Sequence, residues 1–139
     1  MRKNKLVAPV LKWVGGKRQL LETFRPLLPK RITTYCEPFV GGGALLFNLQ
    51  PNTAYINDIN PELIRVYTVI KENVEELISE LEKFENTSEQ FYSVRDWDRD
   101  KNYYATLTDV QKAARVLYLC KLEGQCRVQG DHRGHSKAA

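Results

Sequence analysis

The stretch "YCEPFVGGGALLFN", Tyr35 to Asn48, restricts the fold more than any other part of the chain. Its opening, together with the preceding "ITT", is β-branched and aromatic and suits a short buried strand. Three glycines then interrupt the pattern, "GALLFNL" resumes at helical spacing, and Pro51 stops it. "TAYINDIN" reads as a second strand. Strand, glycine turn, helix and strand form a βαβ unit, so the expected class is α/β with a parallel sheet.

Elsewhere the chain reads as helical. "GKRQLLETFRPLL" places Leu20, Leu21, Phe24, Leu27 and Leu28 at helical spacing, predicting a helix over about 16–28. Asn60-Pro61 opens another helix, with Asn60 as N-cap and Leu63, Ile64, Tyr67 and Ile70 as its apolar face. Val74, Leu77, Ile78, Leu81 and Phe84 give a second amphipathic helix. "EQFYSVRDWDRDKNYYATLT" mixes aromatics with charge and is expected to be a short helix and a loop, its aromatics packing under that loop. Asp109 to Lys121 is helical again, with Val110, Ala113, Ala114, Leu117 and Tyr118 on one side. From Glu123 the tail carries a single large aliphatic residue, Val128, and cannot bury enough to fold by itself. At 139 residues, 42% of them apolar, the chain suits one ordinary domain.

Charge is segregated along the sequence. Nine Lys/Arg and one acid lie between Met1 and Thr34, thirteen acids and five bases between Tyr35 and Asp100, and seven bases and three acids from Lys101 onward. Two basic ends around an acidic middle suit a polyanion gripped at some places only. No window approaches the apolar run of a membrane span, and the N-terminus lacks a signal-peptide pattern; the expectation is a cytoplasmic protein with no membrane partner. Cys36, Cys120 and Cys126 have no C-x-x-C spacing and are expected to be reduced thiols. The spacing of Cys126, His132 and His135 matches no common zinc pattern, so no metal is expected. No Ser/His/Asp or Cys/His nucleophile arrangement stands out.

A loop at the carboxyl end of the first strand of a parallel sheet is where such folds bind ligands, and glycines let backbone approach closely. A tight turn without a ligand is the alternative. A dinucleotide fingerprint requires a third glycine where Leu46 stands, and Glu37 would repel a pyrophosphate; both disfavour a dinucleotide oxidoreductase. Asp58, at the end of the second strand, can accept hydrogen bonds from ribose hydroxyls or can simply form a turn. Lys17 and Trp13 beside a Gly-Gly loop offer a cation and an aromatic wall, or else a surface charge and a core ring. A nucleoside without phosphates, bearing an amino-acid end, would use all of these; S-adenosylmethionine is that ligand.

The blocks "LKWVGGKRQLL", "YCEPFVGGGALLFNL", "YINDINPELI" and "QKAARVLYL", in this order, resemble the Dam-type (class D12) DNA adenine-N6 methyltransferases over Pro9 to about Leu122. The resemblance implies a Rossmann-like methyltransferase core with a helical insertion that begins the DNA-recognition domain. It implies cofactor contacts at Trp13, Lys17, Phe39, Gly41, Gly43 and Asp58. Glu37 and Pro38 would shape the loop, with Glu37 facing the cofactor's amino group. Double-stranded DNA is the implied substrate, methylated at the adenine of GATC by a protein that is a monomer when complete. The family flips the target adenine and sets its N6 against the methyl group with an Asp-Pro-Pro-Tyr motif.

That motif is absent from these 139 residues, so no catalytic residue is assigned. The expected division is 1–73 for cofactor binding, 74–122 for the start of target recognition and 123–139 as a polar basic tail that is disordered or frameshifted. A frameshifted, truncated or fragmentary product is expected to bind cofactor weakly and to transfer no methyl group alone. Arg115, Lys121 and Arg127 are the candidate phosphate contacts. The rival reading is a non-catalytic module that binds DNA or a partner through its basic ends.

Overall fold

The structure, a computed structural model, describes Asn4 and residues 7–13 and 17–122. Lys17–Leu20 form a 3-10 turn that passes into one α turn, α1 (Leu21–Phe24), and back into a 3-10 turn at Arg25–Leu27. The helix expected over about 16–28 is thus present as three consecutive helical segments, and Pro26 lacks the amide that would continue α1 through the last of them. None of these residues is buried, and Leu27 is 77% exposed. Leu21, Phe24 and Leu28 are half-buried, while Leu20 and Leu27 stay exposed.

The βαβ unit forms as expected, though in abbreviated form. Strands β1 (Tyr35–Glu37) and β2 (Ala54–Ile56) pair in parallel, Tyr35 with Ala54, Cys36 with Tyr55 and Glu37 with Ile56. Between them runs α2 (Ala44–Leu49), which ends where Gln50 turns left-handed before Pro51. Two strands make up this sheet among the described residues.

Helix α3 (Pro61–Glu72) starts as its sequence predicts, with Asn60 Oδ1 accepting from the Glu62 amide at 3.0 Å. Its core face is Leu63, Val66 and Val69, flanked by the partly buried Tyr67 and Ile70. Helix α4 (Val74–Leu81) buries Leu77, while Val74 and Ile78, expected inward, stay exposed. The aromatic stretch is more ordered than a helix and a loop. It forms α5 (Ser88–Arg95), capped by Thr87, a 3-10 turn at Asp96–Asp98, and α6 (Lys101–Thr106), capped by Asp100. Of its rings, Phe91 and Trp97 pack on the cluster of Val94, Tyr118 and Leu119, with Trp97 5.9 Å from Phe84 between centroids, while Tyr92 and Tyr103 stay exposed.

Helix α7 (Asp109–Leu122) is the hub. Ala113, Ala114 and Val116 face α3 and α4 in one apolar cluster, and Tyr118 and Leu119 join Val94 in a second. Two alanines in succession let neighbouring helices approach closely. The first cluster joins Leu63, Val66 and Val69 to Leu77, Ala113 and Val116, so a single core runs across the division expected at residue 73. A polar tie reinforces it: Arg65 on α3 pairs with Glu62 and, at 2.7 Å, with Asp109, while the Tyr104 hydroxyl donates to Glu62 at 2.7 Å.

Arg115 corrects an expectation. It is 3% exposed, with Nε donating to the Val94 carbonyl at 2.9 Å, Nη2 to the Arg95 carbonyl at 2.6 Å, and an ion pair to Asp98 at 2.9 Å. The last carbonyls of a helix have no partner within it and carry partial negative charge, so a buried cation there caps α5. Held inside by these partners, Arg115 is not placed to touch DNA phosphate. Cys36 is a free, exposed thiol, as expected, whereas Cys120 departs from the expectation of a reduced thiol and is disulfide-bonded. Among the described residues no helix is long and apolar enough to cross a membrane.

Candidate functional site

The glycine turn sits at the carboxyl ends of β1 and β2 and is tied to both strands and to α3. Past the strands, the Asn57 amide donates to the Glu37 carbonyl at 2.9 Å and the Val40 amide to the Asn57 carbonyl at 2.9 Å. Gly41 is left-handed, with φ of 54°, and held on both sides. Its amide donates to Asp58 Oδ2 at 2.9 Å, and its carbonyl accepts from the Tyr67 hydroxyl at 2.9 Å. Gly43, with φ of 74°, leads into α2. A Cβ at Gly43 would lie 2.7 Å from both the Phe47 ring and the Tyr67 hydroxyl, so this glycine faces protein. A Cβ at Gly42 would lie 2.6 Å from the Leu11 carbonyl, so the segment carrying Leu11 and Trp13 packs directly on the turn. At Gly41 a Cβ would meet only the edge of Trp13, at 3.9 Å, which leaves that stretch of backbone open to approach.

Asp58 spans two roles. Oδ1 accepts from the Asn60 amide at 3.0 Å, the turn-forming role, and Oδ2 holds Gly41. Each carboxylate oxygen can accept a further bond. Glu37, 6% exposed, is bracketed: Lys17 Nζ pairs with Oε1 at 2.8 Å and the Tyr35 hydroxyl donates to Oε2 at 2.6 Å. Lys17 also donates to the Phe39 carbonyl, so one cation joins the residue before the turn to the turn itself. A buried carboxylate is tolerated only with such compensation. Phe39 projects outward at 68% exposure.

Tyr35 and Tyr67 both titrate well above the ordinary phenol range. For Tyr35 the causes are burial first, then its bond to Glu37. For Tyr67 they are burial, then the Glu37 and Asp58 charges. Both hydroxyls therefore remain protonated donors at neutral pH.

Of the residues singled out in the sequence, Trp13, Lys17, Glu37, Pro38, Phe39, Gly41, Gly43 and Asp58 come together around this turn. Among the phosphate candidates, Arg115 is internal, Lys121 is exposed in the last turn of α7, and Arg127 lies outside the described residues. Cys126, His132 and His135 also lie outside them; among the described residues no cluster could hold a metal ion. Sequence reasoning passed over Tyr35 and Tyr67. The signals were there: Tyr35 and Glu37 share a strand face at period two, and a tyrosine on a core-facing helix requires a partner for its hydroxyl.

A glycine turn closing two parallel strands, with an acidic side chain at the end of the second, is the place where α/β folds receive ligands. Comparison with known sequences then specifies the family. Residues 13–131 match the D12 class N6 adenine-specific DNA methyltransferases, and the chain belongs to that family. It is similar to the type II methyltransferase M1.LlaDCHI of Lactococcus lactis subsp. cremoris, at 42% identity over 88% of this chain and 44% of that protein. It is likewise similar to the type II methyltransferase M.MjaIII of Methanocaldococcus jannaschii, at 38% identity over 83% of this chain and 45% of the relative. A DNA adenine methylase of Haemophilus influenzae is 30% identical over 86% of this chain and 42% of its own length. The chain thus spans less than half the length of these curated relatives.

Proposed function

We propose that this chain supplies the S-adenosylmethionine-binding part of a DNA adenine-N6 methyltransferase with a Rossmann-like core. The observation that carries the reading is the doubly held Gly41 beside the bracketed Glu37: one wall of the turn is open backbone, and both signs of charge stand next to it. The residues suit that cofactor. Asp58 retains acceptor capacity for ribose hydroxyls, Trp13 and Phe39 offer apolar surface for the purine, and the Lys17–Glu37 pair complements a zwitterionic amino acid, cation to carboxylate and carboxylate to ammonium. When bound, the cofactor supplies an electrophilic methyl group on a sulfonium.

The nucleophile in the proposed reaction is the exocyclic amine of an adenine in double-stranded DNA. Its lone pair is delocalised into the ring, so the reaction depends on hydrogen bonds to N6 and an in-line approach. The residues assigned here bind and orient the methyl donor; the Asp-Pro-Pro-Tyr group that would hold N6 is not among these 139 residues. GATC as the target sequence follows the family resemblance. Lys121 is the exposed candidate for a phosphate contact, at the carboxyl end of α7. In functional terms, the helices after residue 73 begin target recognition while sharing a core with α3.

Titration calorimetry with S-adenosylmethionine tests the reading. The wild-type chain is expected to bind, and Asp58→Ala to weaken binding more than tenfold, since a hydrogen bond to a charged group contributes about 1.5–3 kcal/mol. Absence of heat with the wild type, or equal affinity in the variant, would remove the cofactor assignment.

A further inference from the structure

Tyr67 lies on α3, outside the turn, yet its hydroxyl meets the turn at its most constrained residue. Gly41 sits at φ of 54°, and its two peptide groups are fixed by separate elements: the amide by Asp58 after β2, the carbonyl by Tyr67 on α3, each at 2.9 Å. The Tyr67 ring is anchored independently of that bond. It tilts against Phe47 at 6.4 Å between centroids and packs on the cluster formed by Leu63, Val66 and Val69. The hydroxyl also stands 2.7 Å from where a Gly43 Cβ would be, so it touches both ends of the Gly41–Gly43 run.

We infer that Tyr67 is a positioning residue for the cofactor site: through the Gly41 carbonyl it fixes the turn in the shape that the ligand meets, and through Gly41 it sets the direction of the Asp58 carboxylate. The inference rests on the S-adenosylmethionine reading above. Three features separate it from a plain packing role. The ring has apolar partners enough to be buried without the hydroxyl, the hydroxyl's acceptor is a turn carbonyl rather than a core group, and Asp58 holds the same residue from the opposite side. A ligand hydrogen-bonded to Asp58 would therefore be affected by a hydroxyl that it does not touch.

Tyr67→Phe keeps the ring and deletes only the bond. Measured by calorimetry on the full chain, its affinity for S-adenosylmethionine is expected to fall about fivefold, the equivalent of one neutral hydrogen bond of ~1 kcal/mol. A double-mutant cycle with Asp58→Asn supplies the readout that packing alone would not move. Because both side chains act on Gly41, the double variant should lose clearly less than the two single losses combined. Affinity in Tyr67→Phe equal to that of the wild type, or losses that combine in full, would overturn the assignment while leaving the cofactor reading intact. Failure of the wild type itself to bind would instead strike at the cofactor reading.

Discussion

The glycine-turn region and the helical region are held together by different forces. From β1 to β2 the structure depends on directional polar contacts: the strand pairing, the Gly41 clamp and the Lys17–Glu37–Tyr35 bracket, around few fully buried side chains. From α3 to α7 it depends on a close-packed apolar cluster, with Leu63, Val66 and Val116 fully enclosed. Apolar packing tolerates some rearrangement, whereas a hydrogen-bonded turn keeps its shape only if every partner is in place. The first region is thus built to present a fixed polar surface, and the second to keep it standing.

The largest expected effect breaks the helical side. Leu63→Ala removes a fully buried side chain at the α3–α7 contact and should cost about 2–5 kcal/mol in denaturant unfolding. Its cofactor affinity, corrected for the folded fraction, should be unchanged. Gly43→Ala reverses the pattern. A left-handed non-glycine costs about 1–3 kcal/mol, and its Cβ would press on Phe47 and Tyr67, so cofactor binding should be lost well before the helices melt by circular dichroism.

The contrast also governs how much could be read from the sequence. Asn60-Pro61, the glycine turn and the apolar spacing of α3 and α7 are local signals, and they placed β1, α2, β2, α3 and α7 correctly. The apolar stripe from Leu20 to Leu28 placed a helical stretch but not its division into 3-10 and α turns, and Leu20 and Leu27 stay exposed because spacing shows that a face is apolar, not that anything covers it. Arg115 misled for a related reason: a cation on a helix is solvated by default, and only the arrival of the α5 carboxyl end beside it turns it into an internal cap. Around the turn, side chains close in sequence to the glycines were legible. Tyr67, 26 residues from Gly41, depends on how α3 docks.

Two smaller effects are expected. Tyr35 in the first region, and Tyr67 and Tyr104 in the second, all titrate above the ordinary phenol value of 10.0, chiefly through burial. A group whose folded pKa is raised contributes stability that is fully present below its unfolded pKa and lost as pH rises beyond it. Unfolding free energy should therefore hold up to about pH 10 and fall above it. Tyr35→Phe should flatten that fall, as read by urea titrations between neutral pH and pH 11. The smallest effect belongs to Lys83→Ala, which removes an exposed lysine paired with the partly buried Glu80. It should shift stability by about 0–1 kcal/mol and leave binding untouched.

Amide hydrogen exchange, with and without saturating S-adenosylmethionine, tests the division of labour most directly. Added protection is expected to concentrate at the amides of residue 37 and of residues 39–43 and 57–60, with α4 to α7 nearly unchanged. Protection absent from the glycine turn, or confined to α4 to α7, would contradict that division.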